Sequence, residues 1–235
     1  MDFINKMFYL KIISIFVLIS NSIPNVRPLS APLIQLNNGL SIPSIGFGTY
    51  PLDNGNKSKE ILRNAIEVGY RMFDTAFQYD NELVVGQTIR EVIDNGDYKR
   101  EDFFIVTKIW NTFHSRELVH KQTLLSLKNF GLDYVDLLLM HYPTGYAYPG
   151  DDKLKQWFPR HPNGTTIPSS WQMDDYIDTY KGMEDMVRKG FAKSIGVSNF
   201  NTHQIDVLLK NTEIKPVVNQ VSFLRIRIKN KVIPG

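Results

Sequence analysis

The sequence predicts an α/β fold on a parallel sheet, of the (β/α)8 TIM-barrel type, and three observations carry that prediction. Apolar runs of strand length alternate about six times with stretches of helical periodicity. The strand runs over 103–109 and 135–141 are nearly continuous in apolar character, as strands buried on both faces require. Residues of reactive type stand at or near the ends of four successive runs: Asp74, Lys108, His141 and Ser198. In a barrel, chemistry collects at the C-terminal ends of the strands. A dinucleotide-binding open sheet is disfavoured, because no GxGxxG follows the first strand. Gly46-Phe47-Gly48 leads into Thr-Tyr-Pro rather than into a helix.

The elements follow in order. Ile34-Gln35-Leu36 and Leu40-Ser41-Ile42 flank Asn37-Asn38-Gly39, a hairpin signal. A short apolar segment over 44–48 is the first core strand. Helical spacing over 58–68 ends at Gly69, and a strand over 72–76 follows. The segment 82–93 is a helix with Val84, Val85, Ile89 and Val92 on one side. After the strand over 103–109, a helix over 115–130 opens at Ser115 and stops at Gly131. The strand over 135–141 leads into a loop over 142–170, rich in Pro and Gly, of the length that usually carries function. A helix over 174–189, a strand over 192–198, a helix over 202–210 and a strand over 216–221 complete the pattern.

Length and composition bound the rest. The 235 residues suffice for one large domain or at most two. A net charge of +3 with no long Lys/Arg run argues against a nucleic-acid partner. The absence of cysteine excludes disulfides, thiolate zinc sites and cysteine nucleophiles. At the start, Lys6 and Lys11 precede an apolar run over 12–19 and then Ser20-Asn21-Ser22. That is the pattern of a secretory signal peptide or an N-terminal anchor over 1–22. The run is shorter than the about 20 apolar residues a membrane span needs, so no stable span is expected. Residues 23–32 form a linker, and 33–235 form the barrel domain. The expected location is the secretory pathway or outside the cell, and the cytoplasm if the leader does not function. Two glycosylation sequons, Asn56-Lys57-Ser58 and Asn163-Gly164-Thr165, matter only on the secretory route.

The polar residues at the strand ends suggest one chemistry. Tyr79 stands five residues beyond Asp74. A tyrosine serves as a general acid if a neighbouring ammonium lowers its pKa from about 10, and Lys108 can supply that charge. A lysine buried at a strand end needs a carboxylate partner, which Asp74 provides. His141 can hydrogen-bond a carbonyl oxygen and orient it. Each residue alone is commonplace; together they suit protonation of an oxygen anion as it forms. No metal site is expected, since no second histidine is suitably spaced.

These residues also carry a resemblance. GFGTY at 46–50, GYRMFDTAFQYDNE at 69–82, IVTKIWN at 105–111, LLLMHYP at 137–143, DTYKGMEDMVRKGFAKSIGVSNF at 178–200 and VVNQV at 217–221 resemble the aldo-keto reductases. The resemblance implies an NADP-dependent carbonyl reductase on a (β/α)8 barrel. It makes Tyr79 the proton donor, tuned by Lys108 and Asp74, with His141 orienting a small-molecule carbonyl substrate. Hydride would come from C4 of the nicotinamide of NADPH. Ser198, Asn199 and Gln220 would bind the carboxamide of that ring, and Gly48, Thr49 and Asp74 would line the cofactor site. Tyr50, Trp110 and Tyr142 would form the aromatic wall of the substrate pocket; the family often has Trp where this chain has Tyr50 and Tyr142. A monomer is expected.

The family reads NQVEYHP and continues for about a hundred residues, where this chain reads NQVSFLRIRIKNKVIPG. The expectation is therefore a C-terminally truncated member with about six of eight βα units, and 223–228 as at most a poor seventh strand. A non-catalytic or incomplete product, such as a truncated gene model, a splice form or a secreted binding protein, stays open as the alternative.

Overall fold

The computed structural model describes residues 8–9, 31–169 and 176–221. The expected leader (apart from the backbone of Phe8–Tyr9), most of the linker, the start of the helix expected at 174 and the candidate strand over 223–228 lie outside the described residues. The elements are β1 (Phe8–Tyr9), β2 (Leu33–Gln35), β3 (Ser41–Pro43), β4 (Phe47–Gly48), α1 (Asn56–Glu67), β5 (Met72–Asp74), α2 (Glu82–Asp94), β6 (Phe104–Ile109), α3 (Arg116–Phe130), β7 (Val135–Met140), α4 (Tyr176–Arg188), β8 (Ala192–Ser198), α5 (Thr202–Asn211) and β9 (Val218–Gln220). Strands β4 to β9 lie side by side in chain order, all parallel, in a curled sheet. With their helices they form a partial (β/α) barrel. The backbone of β1 pairs parallel to β9.

Period-two alternation sorts the strand residues onto two faces. Met72, Val106, Leu137, Leu139 and Val218 face inward and pack against Leu36 and Ile42 of the hairpin. Phe73, Ile105, Leu138, Met140 and Ile195 face outward into the larger core under the helices. The same parity carries the inner face on to Asp74, Lys108, His141 and Gln220. The side-chain period thus delivers polar residues to the inner mouth of the sheet just where the apolar inner layer ends.

The hairpin β2–β3 closes the other end. Asn37 Nδ2 donates to Pro216 O at 3.0 Å and Asn38 Nδ2 to Ser194 Oγ at 3.0 Å, tying the Asn-Asn-Gly turn to the last two βα units. A cavity of about 420 Å³ lies at that end, among Leu33, Leu40, Arg71, Phe103, Asp136 and Lys193. It is the seat of the hairpin at the N-terminal strand ends, away from the reactive cluster.

Helix signals behave as their chemistry requires. Ser115 Oγ caps α3 by accepting from Leu118 N, and Gly131 ends it at φ 64, a left-handed conformation that glycine adopts without steric cost. At Gly86 on α2 a Cβ would stand 2.2 Å from Phe130 O, so a side chain there would hold α2 and α3 apart. Three strands are shorter than expected by two residues or more. Strand β5 ends at Asp74 rather than at 76. In β4 only Phe47 and Gly48 pair with β5, because Ser44 N donates instead to Pro32 O beside the hairpin. In β9 the ladder is confined to Val218–Gln220.

The 142–170 segment is a loop in its described part, with local order of its own. Tyr146 bridges Pro168 and Arg160 bridges Thr166 in antiparallel fashion, and Asp151–Lys153 forms a 3-10 turn. Among the described residues, no helix is long and apolar enough to cross a membrane.

Candidate active site

Lys108 is the centre of the site. It is 1% exposed, projected from the end of β6 into the sheet's mouth. Its Nζ donates to Asp74 Oδ1 and to Thr75 O, both at 2.8 Å, and lies 3.5 Å from the Tyr79 hydroxyl. A buried ammonium needs such partners, because desolvation alone would neutralise it. Burial is the largest single influence on Lys108 and pulls its pKa down. Asp74 and Tyr79 together outweigh burial and hold it above its ordinary value.

Tyr79 ends a 3-10 turn, Phe77–Tyr79, that follows β5. Its ring lies 5.7 Å from that of His141 and 5.1 Å from that of Tyr50. The expected fall of its pKa towards neutrality is not what this arrangement produces. Burial pushes the phenol up, and the opposing pull of Lys108 is smaller. Burial is the main cause, and the Asp74 carboxylate adds to it by also raising the phenol. Lys108 is 0.7 Å closer to Asp74 than to Tyr79 (2.8 against 3.5 Å). The Tyr79 hydroxyl therefore keeps its proton at neutral pH, and Lys108 stands ready to meet a phenolate once that proton has gone.

His141 follows β7 and is nearly buried. Burial, then the charge of Lys108, lowers its pKa to about 2, so the imidazole is neutral. Its Nδ1 has no hydrogen-bond partner in the described structure. Trp110 stands edge-on at 5.1 Å and Tyr142 stacks on it at 5.1 Å. A neutral ring in this setting can hydrogen-bond an acceptor without delivering a full charge.

The amide-bearing residues converge from β8 and β9. Asn199 sits at φ 62, a conformation in which Asn is over-represented among non-glycine residues. There its Nδ2 donates to His141 O at 2.9 Å and to Ser198 Oγ at 3.0 Å. Ser198 Oγ donates to Gln220 O at 2.7 Å, and Gln220 Nε2 donates to Asp74 Oδ1 at 3.2 Å. Two primary amides and a hydroxyl beside the Asp74–Lys108 pair offer donors and acceptors together, which is what a carboxamide-bearing ring such as nicotinamide requires. Gly48 pairs with Asp74 across β4–β5, and Thr49, fully buried, donates from both N and Oγ1 to Asp74 O.

The aromatic residues form a wall around this mouth. Tyr50 is 67% exposed and Tyr142 is 39% exposed, while Trp110 is buried. Residues that the sequence did not single out complete it. Phe158 of the long loop stands edge-on to Trp110 at 5.5 Å, and Trp110 Nε1 donates to Trp157 O at 2.9 Å. Gln122 of α3 clamps the end of β6, with its Oε1 accepting from Trp110 N at 2.8 Å and its Nε2 donating to Lys108 O at 2.9 Å. A lone glutamine beside Val119 and Thr123 on the buried face of α3 was the signal available for it. Nothing in a loop sequence marks Phe158.

Residues 44–234 match the model of the Aldo/keto reductase family. The chain is 42% identical over 201 residues to aldo-keto reductase family 1 member A1 of Gallus gallus, covering 85% of this chain and 59% of that protein. It is 38% identical over 193 residues to the NADPH-dependent D-xylose reductase of Candida boidinii, covering 82% and 59%. Among solved structures, the aldose reductase from Schistosoma japonicum superposes with a TM-score of 0.72 at 38% identity, covering 84% of this chain and 61% of that one. The Bombyx mori aldo-keto reductase AKR2E4 in complex with NADP gives 0.70 at 39% identity, covering 83% and 59%. The chain thus spans about three fifths of the length of these relatives.

Proposed function

The chain belongs to the aldo/keto reductase family, and from that premise we propose that it reduces aldehydes or ketones to alcohols with NADPH, Tyr79 giving the proton. The observation that carries the reading is Lys108, held between Asp74 at 2.8 Å and the Tyr79 hydroxyl at 3.5 Å. When bound, NADPH supplies the hydride from C4 of its nicotinamide. Asn199 and Gln220 would hold the carboxamide of that ring through their own amides, with Ser198 beside them. His141, neutral, donates to the substrate carbonyl oxygen and orients it against Tyr79. As negative charge develops on that oxygen, the Tyr79 hydroxyl hands over its proton. The phenolate left behind is met by the Lys108 ammonium, and Asp74 keeps that ammonium charged throughout. Tyr50, Trp110, Tyr142 and Phe158 exclude water around the reacting carbonyl.

The test is direct. Folded protein is mixed with NADPH and a simple aromatic aldehyde, and the NADPH absorbance is followed. Aldehyde-dependent loss is expected, together with quenching of Trp110 fluorescence by NADPH alone. A folded, soluble sample that shows neither overturns the reading.

Two further assignments stand as proposals. The chain acts as a monomer on a small molecule, with no nucleic-acid partner, in keeping with its small net charge. The segment 1–22, as a signal peptide or an N-terminal anchor, directs it into the secretory pathway, which its basic start and apolar run support. Translation with microsomes should give a protease-protected chain, whereas a chain digested outside the vesicles is cytoplasmic.

A further inference from the structure

We propose that Asn81 is a positioning residue that fixes the substrate-facing Tyr50 against the proton donor Tyr79; the inference rests on the reductase reading above. Asn81 occupies the N-cap of α2, where an Asn side chain ordinarily accepts a hydrogen bond from the helix and stabilises it. It makes no such bond. The cap comes from elsewhere, because Asn54 Oδ1 accepts from Val84 N at 3.1 Å. The Asn81 amide is thereby released from the helix and turned into the site.

Its partners there define a role. Asn81 is fully buried. Its Nδ2 donates to Thr49 O at 2.9 Å and to Leu52 O at 3.2 Å, the two carbonyls that bracket Tyr50-Pro51. Its Oδ1 accepts from Thr75 Oγ1 at 2.5 Å. Thr75 is in turn an anchor of the proton-donating group, since its carbonyl accepts from Lys108 Nζ. One carboxamide therefore holds the Tyr50 loop with its donor end and the Asp74–Thr75 strand end with its acceptor end.

Tyr50 needs this support. Its side chain is two-thirds exposed, and its ring contact is with Tyr79, at 5.1 Å and 54°. An exposed aromatic ring on a short loop is placed chiefly by its backbone. An amide supplies two donors and an acceptor from one planar group, whereas a carboxylate of the same shape supplies no donor. Asn81→Asp therefore removes the bonds donated to Thr49 O and Leu52 O and loosens the Tyr50 loop while conserving volume, leaving it the Thr49 bonds to Asp74 O and the Leu52 N bond to Thr49 O.

The test reads Tyr50 itself. The protein is labelled with fluorotyrosine and examined by fluorine NMR, with Tyr50 assigned through Tyr50→Phe and Tyr79 through Tyr79→Phe. In Asn81→Asp the Tyr50 line is expected to shift or broaden while the line of the fully buried Tyr180 stays in place, reporting an intact core. Asn81→Ser serves in the same way if the Asp variant does not fold. An unmoved Tyr50 line in either folded variant overturns the proposal. No turnover is needed for this readout, so a wild-type protein that fails to reduce carbonyls defeats the reductase reading and leaves the positioning of Tyr50 separately measured. In an active enzyme, Asn81→Asp is expected to raise KM for an aromatic aldehyde about tenfold while changing kcat for a small aliphatic aldehyde less than about twofold. An equal loss of kcat with both aldehydes would also overturn it.

Discussion

Lys108 Nζ lies 2.8 Å from Asp74 Oδ1, with 1% and 5% of the two side chains exposed. Breaking a pair this deep leaves an uncompensated charge, at a cost of about 3–5 kcal/mol. Lys108→Met is therefore expected to lower the thermal midpoint sharply, and Lys108→Met with Asp74→Asn to recover much of the loss. NADPH oxidation should stay reduced at least ~100-fold in both, since neither retains a cation beside Tyr79. Thermal unfolding and the aldehyde assay check both halves. A single variant as stable as wild type would contradict the buried ion pair.

Tyr79→Phe separates chemistry from structure. The Tyr79 hydroxyl has its hydrogen-bond contact with Lys108 at a long 3.5 Å, and Lys108 keeps two shorter partners without it. Stability should move by no more than about 1 kcal/mol. Carbonyl reduction should fall by roughly 10²–10⁴-fold, the contribution of a positioned general acid. Because burial raises Tyr79 more than Lys108 lowers it, its hydroxyl should ionise above the ordinary tyrosine range of about 10. The ultraviolet tyrosinate titration of wild type should show a late-ionising group that Tyr79→Phe lacks.

Acid should destabilise the fold through two histidines. Burial lowers His114 to about 3, and burial with the Lys108 charge lowers His141 to about 2. Above pH about 6.5, the ordinary histidine value, folded and unfolded chains are both neutral at these positions. Below it the unfolded chain binds protons that the folded chain refuses. Stability is thus full at neutral pH and falls as pH drops from about 6.5 towards 3, by up to about 1.4 kcal/mol per pH unit for each histidine. Denaturant unfolding across that window measures the slope, and His114→Leu should remove about half of this histidine contribution.

Much of this was legible in the sequence because parity is local. The step of two from Met72 to Asp74, from Val106 to Lys108 and from Leu139 to His141 sets which face each polar side chain shares, and apolar runs show that face to be interior. Cap chemistry at Ser115 and Gly131 was legible for the same reason. Electrostatics was not. Whether Lys108 lowers Tyr79 depends on the difference between 2.8 and 3.5 Å, and on how much water burial removes. Residues that act on another element's backbone were also hidden. Asn81 before a helix has the signature of a cap, and only the loop folding back from Thr49 to Leu52 reveals its other use.

Gln122 offers the last expectation, because it acts on the site without touching substrate. Its side chain is fully buried on α3 and satisfies two backbone groups at the end of β6, Trp110 N and Lys108 O. Gln122→Leu would conserve the approximate volume and leave both groups unpaired in a dry interior. Each such orphan costs about 1–3 kcal/mol, so the fold should lose several kcal/mol in total. The strand end would also be free to turn, and Trp110 is the residue immediately bound there. Its fluorescence should therefore shift to the red in the variant under native conditions, as the ring gains water. Lys108 retains Asp74 and Thr75 as partners, so kcat should fall less than in Lys108→Met, while KM for aromatic aldehydes rises with the displaced wall. Fluorescence spectra and a KM-against-kcat comparison distinguish this from a general loss of fold, which would lower both activity and the thermal midpoint without a discrete native-state shift.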